Sequence, residues 1–168
     1  MSETREPAQW HGTTIMMVRK DGKVEIAGGA GWNPSDTENS GSVHYFRAPA
    51  DRTQRWSVVD LHREPTVHRM RWVLDAKGDS ELVVVPLHGR GNRGGAGAGV
   101  RVLAYRSTDG SRNSWTTSEV STDLHMTHNI DPVQWDADPE EEILICGHEG
   151  IFLLDRSGDG WSQTKLGG

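Results

Sequence analysis

Short apolar segments separated by polar, glycine-containing turns run along the whole chain. ELVVVPL is almost continuously apolar, and VRVLAYR alternates apolar and polar residues. Valine-rich runs of this length, bounded by turn residues, are typical of β-strands. No segment shows a strong 3.6-residue period, so the pattern predicts an all-β protein without helices.

One unit of this pattern recurs three times. In each unit a strand leads to an acidic turn, a glutamate opens an apolar strand, and a third strand and a tryptophan-containing strand follow. The glutamates that align the units are Glu25, Glu81 and Glu142, and the recurring tryptophans are Trp10, Trp56, Trp115 and Trp161. Four short strands per unit are typical of propeller blades. The sequence therefore predicts a single domain, 1–168, folded as a partial β-propeller of three four-stranded antiparallel blades at about 10–56, 57–115 and 116–161, with tryptophans packed between blades.

The densest glycine run, PLHGRGNRGGAGAGVRVLAY, contains the spacing G-x-G-x-x-G at Gly89, Gly91 and Gly94. In a dinucleotide-binding turn this spacing follows a strand and opens a helix whose amides hold the pyrophosphate. Here the downstream segment VRVLAYR is itself a predicted strand. The run is therefore predicted to be a loop between two strands of the second blade.

The composition agrees with a turn-rich β-protein and argues against a nucleic-acid-binding or membrane-spanning protein. The 168 residues suffice for one domain, 34% of them are hydrophobic, and they include 20 glycines and 7 tryptophans. A net charge of -6 without a Lys/Arg-rich run predicts no nucleic-acid partner, and no apolar run is long enough to cross a membrane. The single cysteine, Cys146, lies in an apolar run and is predicted to be a buried core residue.

The first segment, MSETREPAQW, is polar and has no apolar core of a signal peptide. This predicts a cytoplasmic protein if the chain is complete, and it leaves the compartment unknown if the chain is a fragment.

The acidic turn of the third unit alternates oxygen-bearing residues: Asp136, Asp138, Glu140 and Glu142. Alternate residues of a tight turn can point inward together, and calcium prefers several oxygen ligands. These four residues are therefore a candidate calcium site, and the alternative is a solvated acidic turn. In the second unit Asp75, Asp79 and Glu81 remain but Lys77 occupies a ligand position, and in the first unit Arg19 and Lys23 occupy two of them.

Propeller topology brings most of the histidines to one end of the blades. The connection into the first strand and the loop after the second strand lie on the same side, near the axis. We call this set of positions the histidine rim: His11, Trp32, His68, Arg69, His88, Arg90, His128, Asn129, His148 and Glu149. His125 could reach the same pocket, whereas His44 and His62 are predicted to be surface residues.

Such a rim has defined chemistry. Histidine takes and returns protons near neutral pH, and neutral imidazoles that converge can hold zinc or another divalent metal. Arginine can bind a carboxylate or stabilise a developing oxyanion.

The acidic turn followed by glutamate and an apolar strand resembles the FG-GAP/VCBS type of propeller repeat. EPTVHRMRWV, VVVPLHGRG, GAGVRVLAYR and LHMTHNIDP resemble propeller proteins related to aldos-2-ulose dehydratase and propeller lyases that cut polysaccharides at glucuronate. The resemblance covers about 28–161. Those families close a ring of about seven blades, so this chain with three is expected to be a fragment of a larger ring whose missing blades complete it. The alternative is that further copies of the chain close the ring.

The resemblance implies a carbohydrate-active lyase or dehydratase that performs β-elimination on an oxidised sugar or a uronate-containing glycan. His68 or His128 is then the base or a metal ligand, and Arg69 or Arg90 neutralises the oxyanion. The implied catalytic set is His68, Arg69, His88, Arg90 and His128, and the implied substrate-binding set is Asn129, His148 and Trp32. Tyr45 and Tyr105 are expected to be packing residues. The alternatives are a non-catalytic propeller module that binds glycan or protein, and an oligomeric lectin-like ring.

Overall fold

A computed structural model describes residues 12–20, 23–31, 33, 35–158 and 160–168. The regular elements of this part of the chain are β-strands. Their bounds are β1 Gly12–Lys20, β2 Lys23–Ala30, β3 Ser42–Arg47, β4 Ser57–His62, β5 Val67–Leu74, β6 Ser80–Pro86, β7 Val102–Ser107, β8 Trp115–Ser121, β9 Thr127–Val133, β10 Glu142–Gly147, β11 Gly150–Ser157 and β12 Gly160–Gly167. Within the same residues, no helix has the length and apolar character that crossing a bilayer would require.

The strands form three four-stranded antiparallel sheets: blade 1 (β1–β4), blade 2 (β5–β8) and blade 3 (β9–β12). In every sheet the strand order follows the chain, as expected of propeller blades. The predicted fold class is therefore confirmed. The predicted units end at the tryptophans, whereas the sheets end one strand later, at His62, Ser121 and Gly167.

Each blade has two faces, and strand register assigns every side chain to one of them. We call the face toward the preceding blade the front face and the face toward the following blade the back face. The back face of blade 1 packs on the front face of blade 2 through buried residues that include Ala27, Tyr45, Met70, Leu82 and Tyr105. A second core joins blades 2 and 3 in the same way. It includes Val83, Val102, Ile143, Phe152 and Leu154.

These two cores contain the predicted packing residues. Tyr45 is 4% exposed and Tyr105 is fully buried. Trp115 packs against the first core and Trp161 against the second, which confirms their predicted position between blades. Trp10 lies outside the described residues.

Among the described residues, no sheet covers the front face of blade 1 or the back face of blade 3. Ile15 and Met17, on the front face of blade 1, are 72% and 64% exposed, and Ile151, on the back face of blade 3, is 48% exposed. Cys146 lies beside Ile151 across the strand pair and is only half-buried. The prediction that Cys146 is a core residue was therefore wrong, because its strand face is one that no blade of this chain covers.

The glycine-rich loop between β6 and β7 is held by close backbone contacts. A Cβ atom on Gly89 would lie 1.8 Å from the carbonyl oxygen of Ala98, and one on Gly99 would lie 1.6 Å from the carbonyl oxygen of Thr122. The loop connects two strands, as predicted. Its glycines at these two positions allow one backbone to approach another.

We expect Gly99→Ala to destabilise the protein by more than about 1 kcal/mol, because the backbone must shift to relieve the contact with Thr122. Gly110→Ala is the matched control, since a Cβ atom there meets nothing within 4 Å. Urea denaturation of both variants measures the difference. Equal midpoints for the two would contradict this explanation of the loop.

Candidate functional site: the histidine rim

Three chain segments are joined at one end of blades 2 and 3. The Leu87 amide donates to the Thr66 carbonyl (2.8 Å), and the Thr127 amide donates to the Leu87 carbonyl (3.0 Å). The Thr66 hydroxyl also donates to the His88 carbonyl (3.0 Å). The connections into β5 and β9 are thus fixed to the end of β6, and the residues that follow them are brought to one place.

His68 and His128 meet at this place. Their ring centroids are 5.0 Å apart, with the ring planes at 59°. The His128 ring lies on the exposed side, and its Nδ1 is 3.1 Å from the Asn129 side-chain oxygen. Two imidazoles from equivalent positions of successive blades therefore converge, as predicted.

The surroundings of His68 oppose its protonation. Burial first, and then the positive charges of Arg69, His128 and His88, lower the pKa of His68 to about 4. At neutral pH the ring is therefore uncharged. The same electrostatic interactions show that four of the five predicted catalytic residues lie close together.

This pKa shift predicts acid sensitivity. The unfolded chain takes up a proton on His68 near pH 6.5, whereas the folded protein resists doing so until about pH 4. The unfolded state then binds more protons, so we expect the free energy of unfolding to fall as pH drops from about 6.5 towards 4. Chemical denaturation across this pH range measures it, with His68→Gln as the comparison. An unchanged pH slope in that variant would contradict the assignment.

The fifth predicted catalytic residue, Arg90, makes other contacts. Its guanidinium donates to the Glu38 carbonyl (2.9 Å) and lies 3.8 Å from the Glu38 carboxylate and 4.0 Å from that of Glu64. Glu64 is 2% exposed and also pairs with Arg101 at 2.9 Å. Arg90 is therefore part of an ion cluster around the buried Glu64. The repeat in the sequence did not reveal this cluster, because Glu64 lies in a short connection between blades.

The remaining rim residues are spread around the same end of the blades. His148 is exposed, and its amide donates to the Met126 carbonyl (2.8 Å). His125 and Glu149 form a pair in which Nδ1 lies 2.9 Å from the carboxylate. Burial would raise the pKa of Glu149, but the hydrogen bonds from His125 leave it lowered. His11 and Trp32 lie outside the described residues.

No three of the described rim histidines bring their ring nitrogens close enough together to be ligands of one metal ion. Among the described residues, the one group of three or more candidate ligands whose atoms lie within 4.8 Å is Asp136, Asp138 and Glu142. His68, His88 and His128 do not meet that spacing. A zinc site at the rim therefore stays a prediction that would require small side-chain movements.

The acidic turn gathers three of its four predicted ligands, and Glu140 is not in the group. Burial and then the charge of Asp136 raise the pKa of Asp138, while burial and then the charge of Asp138 raise that of Glu140. Like charges in the turn thus oppose one another, and a cation would relieve this repulsion. Calcium at this turn stays a prediction.

The glutamates that aligned the three repeats have a role that the sequence did not show. Glu25 of blade 1 pairs with Arg112 of blade 2 at 2.7 Å, and Glu81 of blade 2 contacts Arg156 of blade 3. Each arginine also lies over the tryptophan of its own blade, Trp115 or Trp161. We call this contact of a glutamate with the next blade's arginine and tryptophan the inter-blade clamp.

The described residues form three packed blades, and histidine side chains lie at one end of blades 2 and 3. The family model of the aldos-2-ulose dehydratase β-propeller domain matches residues 40–168. The chain belongs to this aldos-2-ulose dehydratase β-propeller family. The match begins at the end of the β2–β3 connection and includes all of blades 2 and 3, so the rim pair His68 and His128 lies within it. No curated protein matches the chain.

Membership of the aldos-2-ulose dehydratase propeller family confirms one of the two resemblances and relates the chain to a carbohydrate enzyme. The FG-GAP/VCBS type and the relationship to polysaccharide lyases stay predictions. Two smaller predictions need comment. His44 was predicted to be a surface residue, but its side chain is only 13% exposed because it pairs with Asp60 at 2.7 Å. The side chain of His62 is 36% exposed and lies 3.4 Å from the Glu64 carboxylate.

A cavity of about 650 Å³ lies between blades 1 and 2 at the opposite end from the rim. It is lined by the β3–β4 and β7–β8 loops and includes Arg47, Arg106 and Arg112. Arg106 is paired with Asp75 at 3.0 Å, and Arg112 with Glu25 at 2.7 Å. Two of the three arginines are therefore compensated by carboxylates, whereas Arg47 donates to the neutral side chains of Ser57 (3.1 Å) and Asn113.

Proposed function

We propose that the histidine rim catalyses β-elimination on an oxidised sugar, with loss of water from an aldos-2-ulose or, in a uronate-containing glycan, loss of the sugar attached through the glycosidic oxygen. The observation that carries this proposal is the His68–His128 pair, 5.0 Å apart and beside Arg69, in a chain of the aldos-2-ulose dehydratase propeller family. Elimination next to a carbonyl needs a base to remove a proton and positive charge to stabilise the oxyanion that forms.

The lowered pKa of His68 argues against this residue as the base. A general base works best when its pKa lies near the operating pH, and the pKa of His68, about 4, is too low for that. We therefore assign the base to His128, which is exposed and has Asn129 beside its Nδ1 (3.1 Å). His68 is the neutral imidazole that accepts or donates a hydrogen bond to the substrate.

The proposed elimination removes a proton and a hydroxide from neighbouring carbons of the substrate. His128 removes the proton on the carbon next to the carbonyl, and the electron pair forms an enolate whose oxygen is stabilised by Arg69. The Arg69 charge lies at the rim, since it is close enough to His68 to lower the pKa of that ring. The enolate expels hydroxide from the neighbouring carbon, protonated His128 supplies the proton, and water and an unsaturated ketone leave.

Zinc, if bound, would be held by His68 and His128, and it would polarise the substrate carbonyl as a Lewis acid. The neutral ring of His68 suits a metal, since imidazole binds metals in its uncharged form. Metal analysis of the purified protein, followed by the same analysis of His68→Ala, tests this form of the proposal.

Absorbance measures the reaction directly, because elimination creates a double bond conjugated to the carbonyl. Incubation with aldos-2-uloses and with uronate glycans should raise ultraviolet absorbance with one of them. Binding of these saccharides without any absorbance change would instead favour the non-catalytic module. Neither binding nor turnover would reject both functions.

A further inference from the structure

Three side chains on the front face of blade 1 are joined by consecutive hydrogen bonds. The Ser42 hydroxyl oxygen lies 2.7 Å from Nε2 of His44, and Nδ1 of the same ring lies 2.7 Å from a carboxylate oxygen of Asp60. Both ring nitrogens of His44 therefore have a polar partner. None of the three residues belongs to the histidine rim, and the proposed elimination does not use them.

The strand register produces this arrangement. Ser42 and His44 alternate on β3 with the core residues Val43 and Tyr45, so both point to the front face. His44 pairs directly with Asp60 on β4, and the Cβ atoms of such cross-strand partners lie about 4.5–5.5 Å apart. The backbone pairing therefore fixes both neighbours of the imidazole.

The hydrogen bonds define where the neutral ring carries its hydrogen. An ionised carboxylate only accepts hydrogen bonds, so Nδ1 of His44 donates to Asp60 and Nε2 is left as an acceptor. The Ser42 hydroxyl then donates to Nε2, and the Ala30 carbonyl, at 3.3 Å, is its more distant alternative acceptor. In this arrangement the imidazole can take the hydroxyl proton as the serine oxygen attacks an electrophile.

The neighbourhood of Ser42 favours a small, uncharged electrophile. Ser42 is half-buried, so part of the residue reaches solvent. Gly28, which has no side chain, lies between Ile15 and His44 in the strand register, and Ile15 is 72% exposed. The Ile15 side chain offers apolar contact to a short acyl group, and the Asp60 carboxylate would repel an anionic one.

We propose that Ser42, His44 and Asp60 form a second reactive site, at which carboxylic esters with a short, uncharged acyl group are hydrolysed. Ser42 is the nucleophile and His44 is the base. Asp60 is a positioning residue, since it acts through the imidazole that it holds. Esters are favoured over amides as substrates, because an alkoxide leaves more readily than an amine anion.

The hydrolysis has two steps. The Ser42 oxygen bonds to the ester carbonyl carbon while its proton moves to Nε2 of His44. The bond from that carbon to the alkoxy oxygen then breaks, and the alkoxide takes the proton from His44 and leaves as an alcohol. In the second step water attacks the acyl group and gives its proton to His44, a carboxylic acid is released, and the proton returns to the Ser42 oxygen.

A fluorophosphonate tests the nucleophile, because it forms a stable bond with activated serine hydroxyls. We expect mass spectrometry of the full chain to show one added group, and peptide mapping to place it on Ser42. Release of nitrophenolate from p-nitrophenyl acetate measures turnover. Ser42→Ala should abolish the label and the turnover. Ser57→Ala is the matched control and should change neither, because Ser57 is an exposed serine of the same blade whose oxygen accepts from Arg47 (3.1 Å).

The base is tested by His44→Gln, which should slow the labelling of Ser42 by about 10²- to 10⁴-fold. Circular dichroism verifies that the variants keep the β-sheet fold. Absence of the label from the folded wild-type protein would overturn the proposal, and this measurement needs no variant. A label that persists in Ser42→Ala would overturn it too, as would equal labelling rates in the wild type and His44→Gln.

The positioning role of Asp60 has its own measurement. Asp60→Ala should slow labelling less than His44→Gln, because the Asp60 side chain is 86% exposed and its hydrogen bond competes with water. Nitrogen NMR of the His44 ring should show the hydrogen on Nδ1 in the wild type and a larger share on Nε2 in Asp60→Ala. An unchanged ring tautomer would overturn the role of Asp60. None of these measurements depends on elimination at the rim.

Discussion

His128→Ala is expected to lower kcat for elimination by about 10²- to 10⁴-fold, the usual contribution of a positioned general base. The substrate carbonyl and Arg69 remain, so binding should change much less than turnover. Steady-state kinetics by ultraviolet absorbance, with the saccharide that responds, separates the two effects. Added imidazole should restore part of the activity, because a small base can occupy the space of the missing ring.

Ser118→Ala is a suitable control, since Ser118 is exposed on β8, away from the rim. Arg69→Met should also lower kcat, but without rescue by imidazole, because it removes the charge that stabilises the enolate rather than the base. Full activity in His128→Ala would reject His128 as the base and leave the metal-bound form of the proposal. A loss that imidazole cannot restore would indicate that His128 only supports the fold.

Arg156→Met is expected to destabilise the protein by about 2–3 kcal/mol, because it removes one of the two arginines that contact the buried Glu81 carboxylate while Arg106 remains at 3.3 Å. Glu81 is 3% exposed and cannot regain solvation in the folded state. The Arg156 guanidinium also lies over the Trp161 ring, 4.3 Å from its centroid, so packing is lost with the charge. The midpoint of urea unfolding, with the slope held constant, gives the loss.

A double-mutant cycle tests whether the clamp is responsible. Glu81→Leu in the Arg156→Met background removes the carboxylate that has lost one of its two arginines and should recover part of the stability, since apolar replacement of a buried pair is often neutral. Arg106→Met is the milder comparison, because the Arg106 side chain is 45% exposed. If Arg156→Met costs no more than Arg106→Met, the clamp is not an important contact between blades.

The fold could be predicted from this sequence because each feature of the repeat is determined by residues that are close together in the chain. Alternating strands, acidic turns and a recurring glutamate are each set by neighbouring residues, and three copies of the same order leave few topologies open. The convergence of His68 and His128 followed from topology alone, since the connection into the first strand lies at the same end in every blade. Tyr105 could be assigned to packing for the same reason.

What could not be predicted depends on contacts between blades. Glu64 lies in a polar connection, and only the folded chain shows that it is buried beside Arg101 and Arg90. Glu25 and Glu81 resembled turn ligands in the sequence, but their partners come from a loop and a strand of the next blade. Cys146 has an apolar neighbourhood along the chain, yet its burial depends on whether another blade covers its face.

Every sheet pairs strands that are adjacent in the chain. Each blade can therefore assemble over short loops, and cooperativity between blades must come from the surfaces where they meet. Among the described residues, blade 2 packs against another blade on both faces, whereas blades 1 and 3 each pack on one. Amide hydrogen exchange should consequently be slowest in β6 and β7 and faster in the outer blades, where local opening leaves the rest of the molecule folded.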